Sequence, residues 1–184
     1  MNRLFTLVAL SFLYSCAPMV CPEGSKISRE YSLSSAPNRY SADLSIRYGL
    51  LRVPLKVEKE DGRFTLEGQG KSYSLDLNSL CFGATCIDLP VNPDGVIFGK
   101  LLRGDEKVEC GLTGVAFERD DGAFLSRFLF KDGKPYTAEF LDKRRENKVV
   151  LEYLEWSKEG YARALRLSRD GLTAIITVDS LKRF

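Results

Sequence analysis

The chain contains no histidine. That removes the usual general base and every Ser–His or Cys–His catalytic arrangement, so an enzyme is not expected. Charge of one sign is also lacking in excess: 27 Lys and Arg face 25 Asp and Glu, a net +2. Such balance excludes the basic footprint of a nucleic-acid binder. No glycine-rich loop leads into a helix, and no metal-ligand cluster stands out, so neither cofactor nor metal is expected. Acid pairs at Glu118, Asp120 and Asp121 sit beside Gly122 and read as an exposed turn. Beyond the N-terminus there is no long apolar run to cross a membrane.

At the N-terminus such a run exists, but a short one. Met1-Asn2-Arg3 carries one positive charge, and Leu4 to Leu13 is apolar. A transmembrane helix needs roughly 20 apolar residues, so this stretch reads as a secretory signal. It ends Leu13-Tyr14-Ser15-Cys16, which resembles the lipobox of bacterial lipoproteins. The resemblance implies cleavage before Cys16, acylation of that cysteine, and a membrane attachment through the lipid. Ala17 in place of aspartate implies delivery to the outer membrane, facing the periplasm. The expected organisation is a signal peptide over 1–15, a lipidated tether over 16–37 and one domain over 38–184. Pro18, Pro22, Gly24, Ser34, Ser35 and Pro37 mark the tether, with a short strand around 27–33 or a helical piece inside it.

Four further cysteines follow: Cys21, Cys81, Cys86 and Cys110. An oxidising compartment favours disulfides. Cys81 and Cys86 would face each other across the base of a hairpin and are the favoured pair. The alternative has Cys110 closing onto one of them. Zinc is the weaker reading, since the spacings are not those of a zinc ribbon.

From Arg39 onward the pattern is period two, as in strands with one dry and one wet face. Tyr40, Ala42, Leu44, Ile46 and Tyr48 alternate with Ser41, Asp43, Ser45 and Arg47. Similar alternation runs through 51–57, 64–66, 73–77, 124–130, 136–141, 149–156, 162–167 and 172–178. Asp61-Gly62, Asp132-Gly133 and Asp170-Gly171 mark tight turns. Lys143 to Lys148 is a mixed-charge hairpin loop, in the first instance a solvated turn. Pro54 implies an edge or a bulge. Leu50 and Leu51, at a hairpin tip beside Gly49, read first as the start of a buried strand face, with exposed apolar surface as the alternative. Asn92-Pro93-Asp94 is a helix start, and Gly104 the expected stop after about three turns. Roughly ten or eleven antiparallel strands with one interior helix imply a mainly β fold. A curved antiparallel sheet forming an open half-barrel, with the helix as a short lid, is preferred over a two-sheet sandwich.

This order of elements, from Arg63 to Gly104 and again from Tyr136 to Phe184, resembles the LolA/LolB family of lipoprotein carriers and receptors. The resemblance implies binding of acyl chains or lipidated polypeptide in a concave apolar face, with residues 93–103 as a movable lid. The expected acyl-binding set is Leu44, Ile46, Leu55, Phe64, Leu75, Ile97, Leu101, Phe128, Leu151 and Leu165. Ile175 and Ile176 are both expected to face inward as well. The LolB type carries an exposed aliphatic residue on one hairpin loop, and the matching loop here, Gly68-Gln69-Gly70-Lys71, has none. The rival expectation is a structural envelope lipoprotein whose sheet docks onto an outer-membrane protein.

Overall fold

The computed structural model describes residues 21–76, 79–82, 85–88 and 90–184, with the segment 73–89 described by its backbone alone. The expected signal, Cys16 and the side chain of Leu75 lie outside these described residues.

The chain opens with a helix, α1 (Pro22–Glu30), followed by a 3-10 turn at Leu33–Ser35. Six strands come next: β1 (Tyr40–Tyr48), β2 (Leu51–Glu60), β3 (Arg63–Gly68), β4 (Lys71–Asp76), β5 (Ser79–Phe82) and β6 (Thr85–Asp88). A second helix, α2 (Pro93–Phe98), separates them from seven more. These are β7 (Lys107–Gly111), β8 (Gly114–Asp120), β9 (Phe124–Lys131), β10 (Lys134–Asp142), β11 (Asn147–Trp156), β12 (Ala162–Arg169) and β13 (Leu172–Arg183).

All thirteen form one sheet in the order β6-β5-β4-β3-β2-β1-β13-β12-β11-β10-β9-β8-β7. Each half is an antiparallel meander, and the halves join where β1 pairs with β13. The sheet is not closed; β6 and β7 are its free edges. It is the expected mainly β open half-barrel, with more strands than the alternation revealed.

Register fixes which side chains share the inner face, because neighbours in a ladder point the same way. Ile46 opposes Val53 and Ile176, Leu165 opposes Ile176 and Tyr153, and Leu151 opposes Leu167 and Ala138. Phe128 opposes Ala138 and Phe117. Ile175 opposes Arg47 and lies on the outer face. Two consecutive strand residues cannot both face in, which corrects its inward assignment. Pro54 falls in the Leu51–Leu55 stretch that pairs with β1 but not with β3, whose ladder with β2 starts at Lys56. A missing N–H costs nothing along such an edge.

Two expectations near the N-terminus are overturned. Residues 27–33 form no strand: Pro22 at the first helical turn starts α1, which continues to Glu30. Nor do residues 21–37 hang as a tether. Ile27 and Tyr31 are buried in the core cluster, and Cys21 is bonded to Cys110 with their Cα atoms 6.1 Å apart. Cys110 therefore does not close onto Cys81 or Cys86. Those two stand opposite each other in the β5–β6 ladder, and their side chains lie outside the described residues.

Candidate functional site

α2 lies against the inner face and is shorter than expected. Asn92 caps it by accepting from the Gly95 amide at 3.0 Å. It ends at Phe98, because Gly99 takes the left-handed conformation that glycine accepts most readily (φ +66°). A side chain at Gly99 would strike Pro135 and Trp156, so the turn is wedged between them. Gly104, the expected stop, lies beyond the helix.

Three polar contacts latch α2 to the sheet. Lys59 Nζ donates to Asp94 Oδ2 at 2.6 Å, and Tyr40 Oη donates to Asp94 Oδ1 at 3.1 Å. Tyr153 Oη donates to the Gly95 carbonyl at 2.5 Å. Burial pushes the hydroxyls of Tyr40 and Tyr153 far above the usual tyrosine range, so both remain donors. Burial also pushes the Asp94 carboxyl above its ordinary value, against the pull of the Lys59 ammonium and the Tyr40 hydroxyl.

The lid is held from the other side by α1. The amides of Leu101 and Leu102 both donate to the Tyr31 carbonyl at 3.1 Å, and the Leu33 amide donates to Leu102 at 2.8 Å. Lys100 Nζ reaches the Glu30 carbonyl at 2.5 Å. Beyond the lid, Arg119 pairs with Glu106 at 2.8 Å and donates to the Leu101 carbonyl at 3.2 Å. Its guanidinium lies over the Phe128 ring.

These contacts divide the inner face into two zones. Under α2 the apolar side chains are packed shut: Leu44, Phe64, Ile97, Leu101, Phe128, Leu151 and Leu165 are all buried in one cluster. Seven of the expected acyl-binding residues are thus packed against protein, although Leu44 also borders a hollow at the sheet's side. Phe98, Leu102, Val115 and Phe117 join them, although their pattern did not mark them.

Toward the hairpin tips the same face is uncovered. Along β1 and β2, Ile46 and Leu55 are half-buried, Tyr48 is 47% exposed and Leu51 is 68% exposed. Tyr48 opposes Leu51, so both continue the inner face. Across the join, Leu167 and Val149 are half-buried and Leu172 is 57% exposed. Leu50, at the β1–β2 tip, stands fully in solvent at 105%. Leu50 and Leu51 therefore do not begin a buried face, contrary to expectation. β2 outruns its partner β3 here, so nothing on that side covers them.

Where β2 runs past β3 there is a hollow of about 660 Å³. Leu44, Pro54 and Leu55 line it together with Gly68, Gln69, Gly70 and Lys71, and Asp43, Lys56 and Glu67 supply charge. Its size falls within the range of about 300–1,000 Å³ typical of small-ligand pockets. Among the described residues no His, Cys, Asp and Glu group is arranged to hold a metal. No helix of the described residues is long and apolar enough to cross a membrane.

No family model matches the chain, and no curated protein does. Solved structures do. A LolA superfamily protein from Nitrosomonas europaea superposes with a TM-score of 0.54 at 12% identity, covering 90% of this chain and 94% of that one. A putative outer membrane lipoprotein-sorting protein domain from Vibrio parahaemolyticus gives 0.47 at 10%, covering 87% and 90%. A DUF1329 family protein from Desulfovibrio piger gives 0.47 at 10%, covering 87% and 91%. At such identities the likeness concerns architecture alone, and the chain has the LolA/LolB-type fold.

Proposed function

We propose that this protein is a non-catalytic binding module that takes an acyl chain, free or attached to a polypeptide, into the uncovered end of its inner face. The observation that carries this reading is the apolar strip from Leu44 through Ile46 to Tyr48 and Leu51. It begins inside the packed core and runs out to solvent without changing character. Exposed apolar surface that continues a core outward in this way is characteristic of interaction sites. The charged side chains around the 660 Å³ hollow suit an amphiphile, whose headgroup stays wet while its chain is buried.

Deeper entry requires α2 to lift, because Ile97 and Phe98 are packed into the core beyond the uncovered strip. The lid is held both by its three buried polar contacts and by the packing of Ile97 and Phe98, so the closed position is the resting one. We further read the N-terminus as a cleaved signal with acylated Cys16, anchoring the protein at the periplasmic side of the outer membrane. The LolA superfamily likeness supports a carrier or receptor role over a purely structural one.

The test is titration of a fluorescent fatty acid against the mature chain carrying Cys16→Ala. Saturable binding is expected, weakened at least five-fold by Leu51→Asp and unchanged by Leu125→Asp on the outer face. Equal loss from both variants, or no saturation, would refute the assignment.

A further inference from the structure

The disulfide places the expected anchor. Cys16 is separated from Cys21 by four residues, and Cys21 is bolted to Cys110 on the edge strand β7. Five Cα steps span at most about 18 Å, so the point where the chain meets its lipid lies close to the β7–β8 tip. Leu112, at that tip, is fully exposed at 108%, and Val108 on β7 is also exposed. The neighbouring β9–β10 tip carries Lys131 and Lys134, with Lys131 Nζ lying 3.6 Å from the centre of the Tyr136 ring. Tyr136 is itself exposed. An exposed leucine beside a tyrosine and two lysines is the mixture favoured at a membrane–water boundary, where rings sit at headgroup level and cations meet anionic lipid.

We infer that the surface formed by Val108, Leu112, Lys131, Lys134 and Tyr136 rests on the bilayer that holds the Cys16 lipid. This inference rests on the proposed acylation of Cys16. It sets the orientation of the whole domain. Gly111 and Gly114 lie at the end of the strands where Tyr40 begins β1, while Tyr48 and Leu51 lie at the other. A strand of this length covers about 30 Å, more than the link can span. The apolar mouth at Tyr48, Leu50, Leu51 and Leu172 then points away from the anchoring membrane, toward ligand arriving from the aqueous side.

The experiment uses the lipidated chain in vesicles of phosphatidylethanolamine and phosphatidylglycerol, with a benzophenone amino acid placed in turn at positions 112, 136, 50 and 172. All four positions are exposed, so the substitutions spare the core. Irradiation is expected to give at least five-fold more phospholipid adduct at 112 and 136 than at 50 and 172. Adducts at 50 or 172 that equal or exceed those at 112 would overturn the orientation, as would none at 112 in chains that float with the vesicles. Mass spectrometry of the mature N-terminus separates the two readings. An unmodified Cys16 would remove the anchor and this docking surface together, and would leave fatty-acid binding by the mouth standing.

Discussion

Asp94 is the residue on which the closed lid turns. Its carboxyl group sits in the core with one ammonium and one hydroxyl as partners, so removing the whole group leaves both donors buried without an acceptor. Asp94→Leu should cost about 3–5 kcal/mol of unfolding free energy, as for other broken buried pairs. Replacing both groups, Lys59→Met with Asp94→Leu, should cost far less, because neither charge then needs a partner. Urea denaturation of the two variants checks both expectations. The same pair has a pH signature. Burial raises the Asp94 carboxyl above its unfolded value of 3.8, so the folded chain binds that proton more tightly than the unfolded one. The stability contributed in this way is fully present below 3.8 and is lost as pH rises through the raised native value. The unfolding free energy of the native sequence minus that of the double variant should therefore fall between acid and neutral pH. A difference that stays flat or rises would mean that the carboxyl is not held up by burial.

At the scale of elements, α1 shows how a weak local signal becomes a fixed part of the fold. A nine-residue helix is too short to persist alone in water. It is held by Ile27 and Tyr31 in the core and by the link to β7. Replacing Cys21 and Cys110 by serine should cost about 2–4 kcal/mol. It should also speed amide exchange in Leu101 and Leu102, which donate to Tyr31, more than in β11 or β12. Uniform acceleration across the sheet would instead mark a global loss. The sequence offered this helix only as an alternative to a strand, and it showed neither β7 nor β8, for physical reasons. In β8, Val115, Ala116 and Phe117 are all buried, so the period-two signal vanishes where both faces are covered. In β7 every residue is exposed, so no dry face exists to alternate. Where one face is wet and one dry, as in β1 and β10 to β12, the strands were legible and so was the inward set. Which inward residues α2 covers was not legible, because that depends on Gly99 turning the chain between Pro135 and Trp156.

For the whole molecule, the open sheet brings two different surfaces to its two ends. One end carries α2, the disulfide and the surface assigned to the bilayer; the other carries the uncovered apolar strip. The strip has an outer-face counterpart in Leu125 and Leu141, which oppose each other on β9 and β10 and are similarly exposed. A ligand recognised by shape and not by greasiness alone must prefer the inner strip to this pair. The direct measurement is methyl NMR of the mature Cys16→Ala chain titrated with a spin-labelled fatty acid. Saturable broadening of Ile46, Leu51, Leu55, Val149 and Leu167, with Leu125 and Leu141 unaffected, is the outcome this account requires. Broadening that never saturates, or that reaches the outer pair equally, would contradict it.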